Sequence, residues 1–232
     1  MTTPEPAPYG TPENPRVAVR GEARLEADPE LARISVTVEA RGSDRKAALD
    51  DLARRNTAVL DLVTSYGEAV HKLETGSFVI TPELAQKGRG ERVKAYHGRV
   101  HITATLTDFT VLGDVVTRLA DLDLTTVSGP WWSLRPGSTV HRDVRQRAVR
   151  AAVRRAREYA EALDARLVAL VELADEGAES TAPTPRAPGR PGGPPPQGLA
   201  GASPGPVLDL QPQRQTVYAR VNARFIMSPP QL

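Results

Sequence analysis

Apolar residues recur along most of the chain at one of two spacings, and the places where the spacing changes divide it into elements. Val17, Val19, Gly21, Ala23 and Leu25 alternate with Arg20, Glu22, Arg24 and Glu26, which gives a first strand one face for a core and one for water. Ala32, Ile34, Val36, Val38 and Ala40 repeat the device against Arg33, Ser35, Thr37 and Glu39. Between them Ala27-Asp28-Pro29-Glu30 supplies a turn, proline presetting φ, so the two strands are expected to form a hairpin. The period then lengthens to that of a helix. Leu49, Leu52, Val59, Leu60, Val63 and Tyr66 fall on one stripe, Ser43 stands as N-cap, and Gly67 suits a left-handed terminus.

The order then repeats. Strands are expected from Val70 to Thr81 and from Val93 to Leu106, around the polar loop Pro82 to Arg92. Asp108 caps a helix through Phe109, Leu112, Val115, Val116 and Leu119, and Leu124 to Leu134 is a further strand. Ser138 to Leu163 reads as the longest helix, with Val149, Val153, Ala156, Ala160 and Leu163 toward the core. Leu167 to Leu173 is so apolar that it is expected inside the sheet. Near the end Val217, Ala219, Val221, Ala223, Phe225 and Met227 alternate with more polar neighbours, a strand with one buried face. The pattern predicts an α+β fold, a mostly antiparallel sheet with helices packed on one face, in the order ββαββαβαβ, a disordered loop, and a closing β.

Composition changes this picture in one region. The 232 residues are 40% hydrophobic and 25% charged, as in a globular chain, but hold 21 prolines and 18 glycines. Nine of those prolines and six glycines fall between Thr181 and Pro206, where almost nothing can be buried. The expected organisation is a disordered tail over residues 1–15, a domain over 16–176, a disordered loop over 177–212, and a strand over 213–228 that completes the domain. Cysteine is absent, which excludes disulfides, thiolate metal sites and a cysteine nucleophile. Met1 to Arg16 has five prolines and no apolar run, unlike a secretory signal, and no stretch is apolar enough for a membrane span, so a cytoplasmic protein is expected. The formal charge is only +2, and all but four of the 30 basic residues (Lys46, Lys72, Lys87, Lys94) are arginine, a bias that says little about phosphate binding.

The chemistry-bearing residues form no catalytic constellation. His97 and His101 are four apart, but in a strand that spacing spans about 13 Å, too far to share an ion. His71 and His141 have no carboxylate motif nearby, and no metal or cofactor is predicted. None of Ser65, Ser128 and Ser133 lies in a tight Gly-x-Ser-x-Gly turn or beside a paired base, which speaks against an enzyme. The basic loop 87–94 carries Gly88-Arg89-Gly90 among Lys87, Arg92 and Lys94, but lacks the helix N-terminus and Walker lysine of a phosphate loop. On the long helix Arg147, Arg150, Arg154 and Arg157 form a stripe turned from the core, diluted by Glu158 and Glu161 at i,i+4. Trp131 and Trp132 are adjacent in a strand and point to opposite faces, one to the core and the other to a second face or an interface. These four arginines and two tryptophans are the candidate contact surface. A homo-oligomer is expected, with another protein as the alternative partner, and nucleic acid is disfavoured.

Several of these segments together resemble one family. Asp28-Pro29-Glu30-Leu31-Ala32-Arg33-Ile34, Val36-Thr37-Val38-Glu39-Ala40 and the following Ala47-Ala48-Leu49 are similar to the opening of the SIMPL-domain family. Leu73-Glu74-Thr75-Gly76 with Ile80-Thr81-Pro82 resembles its third strand, and Tyr96 with His101 to Asp108 its fourth strand and the start of the next helix. Ala148, Ala151, Ala152, Arg155, Ala156, Tyr159 and Ala160 resemble its alanine-rich helix. The resemblance runs from about Arg16 to Asp175 and includes the last strand. Glu83 stands where an aromatic is common, and Leu163-Asp164-Ala165-Arg166-Leu167 where glycines are common. The resemblance implies an α+β fold, large ring-like or channel-like oligomers in some members, links to oxidative-stress defence or protein interaction, and no catalytic residues. Most such relatives are periplasmic or secreted. The expected function is therefore non-enzymatic, by self-assembly or protein contact, with a stress-related role. The alternative is a small-molecule or anion-binding protein using loop 87–94 and the arginine stripe.

Overall fold

A computed structural model describes residues 10–84, 93–175 and 208–231. Most of the expected N-terminal tail, the tip of the basic loop and residues 177–207 of the expected disordered loop lie outside the described residues. The elements are β1 (Arg16–Ala27), β2 (Leu31–Gly42), α1 (Arg45–Thr64), β3 (Val70–Leu84), β4 (Val93–Leu106), α2 (Leu112–Ala120), β5 (Thr125–Ser133), α3 (Thr139–Glu161), β6 (Leu167–Asp175) and β7 (Gln215–Met227). This is the α+β class and the element order that the pattern predicts.

The expected single sheet is in fact two. One unit holds β2, α1, β3, β4, α2 and β5, with strands in the order β3-β4-β2-β5, and the other holds β1, α3, β6 and β7, ordered β1-β7-β6. The predicted β1–β2 hairpin does not form, because both edges of β2 are taken by antiparallel β4 and β5. β1 instead lies beside β7, whose Met227 N–H donates to the Pro15 carbonyl.

In the four-stranded unit the alternation works as read. Ile34, Val36 and Val38 of β2 and Val100, Ile102 and Ala104 of β4 are buried against Leu52, Val59 and Val63 of α1 and Leu112, Val115 and Leu119 of α2. Two details of α1 differ from expectation. Asp44, not Ser43, is the N-cap, its Oδ1 accepting from the Ala47 N–H at 2.9 Å, and Ser43 donates to Asp44. Aspartate brings a full charge to the unpaired N–H groups of the first turn, and the hydrogen bond from Ala47 holds its carboxyl below the usual aspartate range. Ala48 is buried while Leu49 is exposed, so the stripe starts at Ala48 and continues through Leu52, Val59 and Val63 as read. Helix α2 starts at Leu112 because Asp108 spends its side chain on the Thr110 N–H and hydroxyl, closing a turn ahead of the helix.

In the three-stranded unit, α3 is capped by Ser138, and its buried line is Val144, Ala148, Ala152, Ala156 and Ala160, with Val149 and Val153 only flanking it. The alanines are central because the helix lies almost on the β1 backbone. A Cβ at Gly21 would sit 2.1 Å from the Ala148 carbonyl oxygen and 2.6 Å from the Ala152 nitrogen. Arg155 seals the contact by donating to the Arg20 carbonyl at 2.7 Å. The helix ends in a Schellman closure, Ala165 N–H to Ala160 carbonyl and Asp164 N–H to Glu161 carbonyl, with Asp164 at φ +49°. Asp164 thus does there what a glycine does at many helix ends.

Candidate functional site

The two tryptophans divide as adjacent strand residues must. β5 pairs with β2 so that Trp132 stands opposite Ala32 and Trp131 opposite Arg33. Trp132 packs against the core and meets the Phe109 ring edge-on, centroids 4.9 Å apart. Trp131 is on the other face, 47% exposed, with the Arg33 guanidinium over its ring at 5.9 Å.

The candidate arginines belong to the other unit. Arg147, Arg150, Arg154 and Arg157 are all exposed along α3, and Arg154 reaches Glu158 at 3.9 Å. The tryptophans and the arginines are thus parts of two separate units, and the pattern along the chain had no means of showing this.

The apolar surface that sequence reading missed is β6. It is not inside the sheet: it is the edge strand beyond β7, and among the described residues no strand pairs with its outer side. Irregularities in the β6–β7 register, between Leu167 and Ala169 and between Leu170 and Glu172, place Leu167, Leu170 and Leu173 opposite the buried Met227, Phe225 and Ala223. The three leucines, three residues apart, therefore share the face that α3 packs on. Yet α3 packs mainly on β1, its alanines clustering with Ala223 and Phe225 of β7, and makes little contact with β6, leaving Leu170 53% and Leu173 46% exposed. Between helix and edge strand is a depression of about 450 Å³, walled by Val153, Leu167, Leu170 and Phe225, with Arg157 at its margin. An apolar run with no alternation reads alike for a buried strand and for an open edge, which is why the pattern misplaced it; the i,i+3 leucines were the one available signal.

His97 and His101 stand in β4, the strand expected for them. His97 Nε2 lies 2.7 Å from Glu83 Oε2, with Lys94 and Arg41 each 2.9 Å from the same carboxylate. The hydrogen bond from His97, then that from Lys94, holds the Glu83 carboxyl down to about 2. His101 lies among the hydroxyls of Ser35 and Thr37. Among the described residues there is no group of three or more metal-ligating side chains, and no helix is long and apolar enough to cross a membrane. Of the basic loop 87–94, Val93 and Lys94 are among the described residues, at the start of β4.

The family model for SIMPL, described as a protein of unknown function (DUF541), matches residues 17–225, a span that includes every described strand and helix from β2 to β6 and nearly all of β1 and β7. No curated protein matches the chain.

Proposed function

The chain belongs to the SIMPL family, and from that premise we propose that it works without catalysis, by self-assembly through the β6 edge. One observation carries the reading: Leu170 and Leu173 are exposed on a strand whose outer backbone groups have no partner strand among the described residues. Such an edge is a template for another strand, and exposed apolar edges are usually covered, charged or shortened. Two register shifts bend β6, and its Glu172 is held by Arg224 of β7. A second copy of β6 is the natural complement. Antiparallel pairing about Leu170 sets Leu167 of one chain opposite Leu173 of the other and extends each sheet into its neighbour. Arg157, one of the candidate contact residues, stands beside this surface.

Light scattering tests the reading. The wild-type chain is expected at a multiple of 25.0 kDa. Leu170→Lys combined with Leu173→Lys is expected to run as the single chain and still to unfold cooperatively, because within one chain about half of each side chain is already in solvent. Wild-type protein at the mass of one chain at every concentration overturns the proposal.

A further inference from the structure

The four-stranded sheet has a second face, turned from α1 and α2, and one corner of it is built differently from the rest. Arg99 pairs with Glu39, while Arg41, Lys94 and His97 converge on Glu83. Arg33 has no carboxylate partner among the described residues; its guanidinium rests over the half-exposed Trp131 ring. Next to it the His101 ring nitrogens lie 3.4–3.5 Å from the Ser35 and Thr37 hydroxyls, contacts long enough that ring and hydroxyls can take a better partner. Arg33, Ser35, His101, Thr103 and Trp131 line one depression of about 320 Å³, close to the lower bound of roughly 300 Å³ for small-molecule sites.

We infer that this depression binds a small aromatic carboxylate. A guanidinium held against a ring keeps its fork of N–H groups aimed outward, where it meets a carboxylate with two parallel hydrogen bonds. The Ser35 and Thr103 hydroxyls and the His101 ring supply further donors for the same anion, and the exposed indole supplies a flat apolar wall on which a ligand ring stacks with an offset. The volume limits the ligand to one or two rings. Sequence reading placed an anion elsewhere, at loop 87–94 or on the α3 stripe.

The test is a fluorescence titration of the Trp132→Phe chain, in which Trp131 is the sole tryptophan, with benzoate, acetate and benzyl alcohol as probes. Benzoate is expected to quench saturably in the millimolar range, with acetate and benzyl alcohol at least about tenfold weaker, since each lacks one half of the recognition. Arg33→Gln is expected to weaken benzoate by about tenfold or more, whereas Arg99→Gln, on the same face but paired with Glu39, leaves it unchanged. Shifts of the His101 and Trp131 side-chain resonances in the unsubstituted chain give the same reading without any variant. Linear quenching alike for benzoate and benzyl alcohol, acetate binding as well as benzoate, or full binding by the Arg33→Gln chain overturns the inference. Its failure would leave β6 assembly untouched, because the two are read by different measurements on different units.

Discussion

Glu83 shows how much a single exposed side chain can be steered by its neighbours. Arg41, Lys94 and the His97 ring reach its carboxylate from β2 and β4, and its pKa falls from an ordinary 4.5 to about 2. Because the folded value lies below the unfolded one, the unfolded chain binds the proton first as pH drops. The stabilisation is therefore complete above about 4.5 and is lost as pH falls toward 2. A carbon-detected NMR titration is expected to place the Glu83 midpoint near 2, and His97→Val to move it up toward the ordinary range; a midpoint unaffected by His97→Val would remove His97 as the principal cause. Asp164 makes the opposite point, a residue tolerated where another fits better. At φ +49° it occupies the left-handed position that closes α3, and Asp164→Gly is expected to raise stability by about 0.5–1 kcal/mol in urea unfolding. Neither behaviour was legible beforehand. Glu83 and Asp164 were visible as departures from a family pattern, but a departure does not say which cations arrive across strands or what dihedral the backbone adopts.

At the scale of elements, the packing of α3 on β1 depends on the absence of side-chain volume. Ala148 and Ala152 lie against Gly21, and no flexible side chain stands between the backbones to yield. Gly21→Ala is expected to cost about 3 kcal/mol, the upper end of what overpacking costs, because the added methyl meets backbone. Gly137→Ala, where a Cβ would touch nothing within 4 Å, is the control expected to leave unfolding unchanged. If the two variants unfold alike, the close approach of helix and strand is wrong. The faces of β1, β2, β4 and β7 were readable because a period of two leaves no doubt about which residues turn inward. Their neighbours were not readable: alternation fixes a face and says nothing about which edge pairs with which, so β1 was assigned to the adjacent β2 when its partner is β7, nearly the whole chain away. On α3 the valines drew the predicted core face away from the alanines, since hydrophobicity ranks valine higher while close packing selects alanine.

For the whole molecule, the near balance of 30 basic and 28 acidic residues gives no broad field to hold a polyanion, and the exposed apolar edge of β6 is the stronger interaction signal. The two candidate surfaces read from the sequence belong to different units, so they are to be tested separately. Assembly through β6 is the central claim, and amide hydrogen exchange followed strand by strand at dilute and concentrated protein tests it most directly. Pairing with a second chain takes the outer amide groups of β6 out of water. Protection in residues 167–175 is therefore expected to rise with concentration, while the other edge strands, β1, β3 and β5, exchange at the same rate throughout. Exchange in β6 that is equally fast at both concentrations, or protection that rises at another edge instead, would contradict it.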